Sequence, residues 1–118
     1  MLNRSVVIVR FRQPFVDWVN AADPTPTREI TLADVNDDSN AYLVEVEDER
    51  ELDEWLALNA DIFFEELLND WYTDPALWPQ DRSLTLFKEW CSCELHTVVF
   101  DTGGSPLADD EAEYESET

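Results

Sequence analysis

Three segments with strand character are set far apart in this chain, and what lies between them reads as helix or turn. Val6-Val7-Ile8-Val9 is β-branched throughout, and Phe11 continues one side of it while Arg10 and Arg12 alternate outward, the pattern of a buried strand emerging toward solvent. Ala41 to Val46 is the second run, with Tyr42, Val44 and Val46 on one face. Glu94 to Asp101 is the third, richest in β character at Val98, Val99 and Phe100. None of the gaps suits a hairpin, and long helix-bearing connections are what a parallel or mixed sheet requires. The expected fold is α/β (α+β): a small three-stranded mixed sheet with three to four helices packed mainly on one face.

The helical segments carry their own punctuation. Pro14 suits a first turn, and Phe15, Trp18, Val19 and Ala22 follow at i, i+3, i+4, i+7 spacing before Pro24 and Pro26 end the helix. Thr31 with Asp34 forms a capping-box pattern flanked by Ile30 and Val35, and Asn36 to Asn40 is turn chemistry. Asp48 to Tyr72 is helical, with Leu52, Trp55, Leu56, Phe63, Leu67, Leu68 and Trp71 as its apolar stripe and a possible break at Asn59 to Asp61. Asp81 or Ser83 caps a last helix bearing Leu84, Phe87, Trp90 and Cys91. Residues 1–102 read as one domain. Residues 103–118 lack apolar periodicity and any basic residue, so an acidic tail without fixed structure is expected there.

Charge bounds the partners. The chain of 118 residues has 28 Asp and Glu against seven Lys and Arg, a net charge of −21. Phosphates and anionic membrane surfaces repel such a chain, so neither direct nucleic-acid binding nor a membrane partner is expected. A basic protein is the partner class that fits. Acidity also serves solubility and suits a high-salt interior, so the charge by itself does not establish recognition. No secretory leader or membrane-length apolar run is read from the sequence, and the two cysteines stand too close together to staple a fold, which makes a reducing, cytoplasmic setting the default.

Sites for chemistry are few. The only glycines, Gly103 and Gly104, follow the last strand, so no phosphate-cradling loop can be built, and no cofactor is expected. His96 is the single histidine. Cys91, Cys93 and His96 form the nearest approach to a zinc cluster, but strand alternation turns His96 away from the two thiols; the same alternation separates Cys93 and His96 as a nucleophile pair. Asp34, Asn36, Asp38 and Glu45 match the oxygen-ligand spacing of a calcium loop, D-x-[DN]-x-[DN]-G-x₅-E, with Ser39 in place of the glycine. These four are the metal candidates. No catalytic residue is assigned.

The partner-binding candidates lie toward the end of the long helix and just beyond it: Glu65, Glu66, Asp70, Trp71, Tyr72 and Trp78. Carboxylates at i, i+4 share a helix face, and Trp and Tyr are favoured at binding hot spots. Large aromatics are also mostly buried, so this loop either folds back over the core or is displayed. Arg82 is placed to fix it by pairing with Asp74 or Asp81.

Gln13-Pro14-Phe15 with Asp17-Trp18, Tyr42-Leu43, the stretch Trp71 to Trp90 with Trp78-Pro79 and Asp81-Arg82-Ser83-Leu84, and His96-x-x-Val99-x-Asp101 together resemble small acidic hypothetical proteins of bacterial genomes. The likeness spans most of the chain before the tail. It implies a bacterial cytoplasmic protein of similar fold, carries no activity, and transfers no functional residue. The expected function is a non-catalytic interaction or regulatory module that uses an acidic surface against a basic protein partner, with nucleic-acid mimicry as a special case. A divalent-metal (calcium or zinc) binding protein and a small enzyme without a recognisable motif are the alternatives.

Overall fold

In the computed structural model the described residues are 1–23 and 28–109; the expected stops at Pro24 and Pro26 and the tail beyond residue 109 lie outside them. The β-branched run forms β1 (Ser5–Phe11), followed by α1 (Gln13–Ala22), α2 (Leu32–Val35), β2 (Ala41–Val44), α3 (Glu49–Asn69), a short 3₁₀ turn (Pro75–Leu77), α4 (Leu84–Trp90) and β3 (Cys91–His96). The sheet order is β2-β1-β3. This is the α+β arrangement the sequence predicts, with one refinement: both pairings are antiparallel, so the sheet is not mixed.

Two contacts explain the strand direction. The first excursion returns to the C-terminal end of β1, where the Asn36 amide bonds the Phe11 backbone and the Val9 N–H donates to the Asn40 carbonyl. The second returns to the same end, where the Arg12 N–H donates to the Trp90 carbonyl at 2.8 Å. Both strands therefore enter beside the finish of β1 and run back along it. Long connections permit parallel strands but do not compel them.

One face of the sheet is packed. Val7, Val9, Val44 and Cys91 join Phe15, Val19, Leu52, Leu56, Phe63, Phe64, Leu67, Leu68 and Phe87 in a single buried cluster. Each fully buried side chain of this size is worth about 1.5–3 kcal/mol. The α3 stripe at Leu52, Leu56, Ala60, Phe63, Phe64, Leu67 and Leu68 is continuous, and the helix does not break at Asn59 to Asp61. The Asn59 side-chain amide donates to the Trp55 carbonyl one turn back, so this residue is absorbed within the helix.

Local chemistry sets the boundaries. The Thr31–Asp34 capping box is present in full. The Asp48 carboxylate accepts from Glu51 N at the start of α3, and Ser83, not Asp81, is the N-cap of α4. The last strand departs from expectation. It begins at Cys91, directly after α4, and ends at His96, while Val98 and Phe100 beyond it are exposed. Pairing with β1 decides this: Phe11 faces Cys91, Val9 faces Cys93 and Val6 faces His96, which brings the ladder almost to the start of β1.

Candidate binding cleft at the end of the long helix

The turn after α2 and the end of α3 meet beside Phe11. Between them lies an open cleft of about 500 Å³ lined by Phe11, Val35, Asp38, Asn40, Asp70 and Trp71. Its floor is apolar, since Val35 is buried and the Phe11 ring stacks on Phe15 with centroids 4.0 Å apart. Trp71 packs edge-on against the same Phe15. Its rim is acidic, because Asp38 and Asp70 are both exposed there.

Each wall has a sequence-level cause. Asn36 to Asn40 turns the chain between α2 and β2, leaving Asp38 and Asn40 outside both elements. Asp70 is the C-cap of α3, and the last turn of that helix carries no basic residue. A 21-residue helix places a partial negative charge at this end, so dipole and carboxylates act in one direction. Asn40 bridges the rim, donating to Asp70 Oδ2 at 3.3 Å and to the Tyr42 hydroxyl at 3.2 Å. Burial pushes the Tyr42 phenol above its ordinary value, and the Asp70 and Glu66 charges add to that. Among the described residues no Lys or Arg lines the cleft. Negative potential, two aromatic rings and a short amide suit an organic cation such as a guanidinium or ammonium group.

The six partner-binding candidates divide. Asp70 and Trp71 stand at the cleft, and Glu66 is close enough for its charge to act on Tyr42. Glu65 instead pairs with Arg82 at 3.0 Å, while Arg82 also donates to the Pro79 carbonyl and lies over the Trp78 ring. The pairing of Arg82 with Asp74 or Asp81 does not form; those carboxylates accept from Ala76 N and Ser83 N within their own turns. Tyr72 and Trp78 belong to the packing: the Tyr72 hydroxyl donates to the Val19 carbonyl, the Trp78 indole to the Tyr72 carbonyl and the Trp18 indole to the Leu77 carbonyl. The aromatic loop is folded back over the core.

The metal candidates do not converge. Asp34 is spent on the capping box and on Arg28, and the Thr31 backbone N–H holds its carboxyl below the ordinary range. Asn36 is bonded to Phe11, and Glu45 pairs with Arg4 at 3.1 Å. Cys91 and Cys93 turn toward the packed side, whereas His96 stands with Glu94 on the opposite face of the sheet. Among the described residues no group of three or more His, Cys, Asp or Glu is placed to hold a metal ion. Burial pushes both thiols up, Cys93 to about 11.

The sequence does not single out Phe11, Val35 or Asn40, and it points to Asp38 only as a metal ligand. The available signal was the run of Asn and Asp immediately before β2, which places polar side chains at a strand entrance. Among the described residues no helix is long and apolar enough to cross a membrane. No family model, curated protein or solved structure matches the chain.

Proposed function

We propose that this chain is a non-catalytic interaction module that seats a basic side chain of a protein partner in the cleft between Asp38 and Asp70. The observation that carries the reading is the joining of two carboxylates, the negative end of α3 and the Trp71 and Phe11 rings around one cavity without a cation in its lining. Charge-assisted bonds from a guanidinium to carboxylates are among the stronger hydrogen bonds, and ring faces attract the same group. The outer face of α3 supports the reading. Leu58 and Ile62 are 81% and 59% exposed there, one turn apart, with Asp61 and Glu66 beside them. A basic amphipathic segment matches such a mixture of apolar and acidic groups.

The test is titration with a short arginine-rich peptide, followed by Trp fluorescence at low and high salt. Asp38→Asn combined with Asp70→Asn is expected to weaken binding about tenfold or more, which is about 1.4 kcal/mol. Asp17→Asn combined with Glu29→Gln removes the same charge elsewhere and is expected to change affinity far less. Equal losses from the two double variants would reduce the effect to net charge and sink the cleft.

A further inference from the structure

The sheet has two faces, and the helices cover one. Strand alternation puts Val6 and Ile8 of β1 opposite Leu43 and Ala41 of β2 on the other face. None of the four belongs to the buried cluster or to the side chains packed against it. Leu43 is 51% exposed, and Val98, just past β3, is 63% exposed.

The charges around this apolar centre balance. Arg4 pairs with Glu45 at 3.1 Å at one end, and Arg10 pairs with Glu94 at 3.2 Å on the β3 side. His96 sits against the same Glu94 at 3.0 Å. Two of the seven basic residues thus stand on one small face of a chain whose net charge is −21. Elsewhere five Lys and Arg stand against 26 Asp and Glu, so a second copy meets an excess of like charge. Here it meets an apolar patch with a self-complementary rim, and a two-fold contact needs the same patch on both partners.

We infer that two copies of this chain pack their bare sheet faces together. The inference does not depend on the cleft, which shares none of these residues. Strands about 4.8 Å apart, rising about 3.4 Å per residue, give a face of a few hundred Å². Two such faces together bury less than about 1,000 Å², at the weak end of specific interfaces. The dimer is therefore a weak, dissociating one. Salt strengthens it by screening the repulsion between two acidic bodies, whereas salt weakens the seating of a basic peptide.

Sedimentation equilibrium of the full chain from about 10 μM to 1 mM, at low and high salt, tests this. Wild type is expected to shift toward the dimer mass with concentration, and more so in salt. Leu43→Glu, at an exposed position, is expected to remain monomeric with an unchanged circular dichroism spectrum. Leu58→Glu, on the outer face of α3, is expected to associate like wild type. A wild type that stays monomeric throughout would overturn the inference, and so would a dimer that Leu43→Glu leaves intact. A monomeric wild type made less stable by Leu43→Glu would likewise overturn it, assigning the face to another part of the same chain.

Discussion

The side-chain amide of Asn36 bonds both backbone groups of Phe11, accepting from its N–H at 2.9 Å and donating to its carbonyl at 3.0 Å. One side chain thereby imitates a strand neighbour at the end of β1 and fixes where β2 begins. The site is partly buried, so losing the amide strands two polar groups of the backbone. Asn36→Ala is expected to cost about 2 kcal/mol, read from the urea midpoint. Asn36→Asp keeps an acceptor for the N–H but sets a carboxylate against a carbonyl, and should recover little. Variants as stable as wild type would show that the clamp is incidental.

The same pair shows what was legible in the sequence and what was not. Caps were legible at Thr31 with Asp34, and at Ser83 as one of two candidates, because each acts on residues three positions away. The stripe of α3 was legible because helical periodicity is local. Strand direction was not, since it depends on contacts such as Asn36–Phe11 and Arg12–Trp90 between distant residues. For the same reason the sequence points too late for β3: Cys91 to His96 is chosen by its register against β1, while Val98 to Phe100 has better strand propensity but lies past the start of β1, where the Val99 carbonyl accepts from the Leu2 N–H. The cleft was half legible. Asp70 and Trp71 are local to the end of α3, but Phe11 and Asn40 come from other parts of the chain.

Arg82 holds the aromatic loop by three contacts of different kinds, to Glu65, to the Pro79 carbonyl and to the Trp78 ring. The ion pair is partly exposed and contributes little by itself. The carbonyl bond and the guanidinium lying over the Trp78 ring contribute more. Arg82→Ala is expected to cost about 1–2 kcal/mol, against less than about 1 kcal/mol for Glu65→Gln. Equal losses for the two variants, measured by thermal unfolding, would assign the whole effect to the ion pair.

The buried Cys91 thiol and the half-buried Cys93 thiol make the fold sensitive to alkali. An unfolded cysteine deprotonates near its ordinary value of 9.0, whereas burial, with the Glu49 charge adding, raises Cys93 to about 11 in the folded chain. Cys91 is shifted the same way, chiefly by burial. For a group raised on folding, the stabilisation is complete below the unfolded value and is lost as pH climbs through the folded one. Stability is expected to decline from about pH 9 to pH 11, and Cys93→Ser to flatten the decline. Alkylation of the native thiols at pH 8 should be slow. Rapid labelling without unfolding would contradict the upward shift of both thiols.

Divalent metals are expected to leave the folded chain unmoved. Asp34, Asn36 and Glu45 are each engaged with a different protein group, and binding calcium would require breaking a capping box, a backbone clamp and an ion pair together. The thiols and His96 lie on opposite faces of the sheet, which denies zinc the same convergence. Millimolar calcium or stoichiometric zinc should give no saturable heat and no shift in melting temperature beyond that of magnesium. A saturable calcium isotherm lost in Glu45→Gln would reinstate the loop.

Joining the two proposals gives a prediction that neither makes alone. The bare sheet face and the outer face of α3 lie on opposite sides of a two-layer domain, and the cleft opens among residues of the helical side. Two copies joined through the sheet would carry their clefts outward on either side, giving one particle two sites for basic segments. Linked sites raise apparent affinity by effective concentration without any new contact. On a surface densely coated with arginine-rich peptide, wild type should therefore dissociate at least several-fold more slowly than Leu43→Glu. In free solution, with peptide in excess, the two should bind each peptide equally. A Leu43→Glu variant weaker in both formats would mean that the sheet face contacts the peptide itself. Equal behaviour in both formats would mean that the bound species is a single copy.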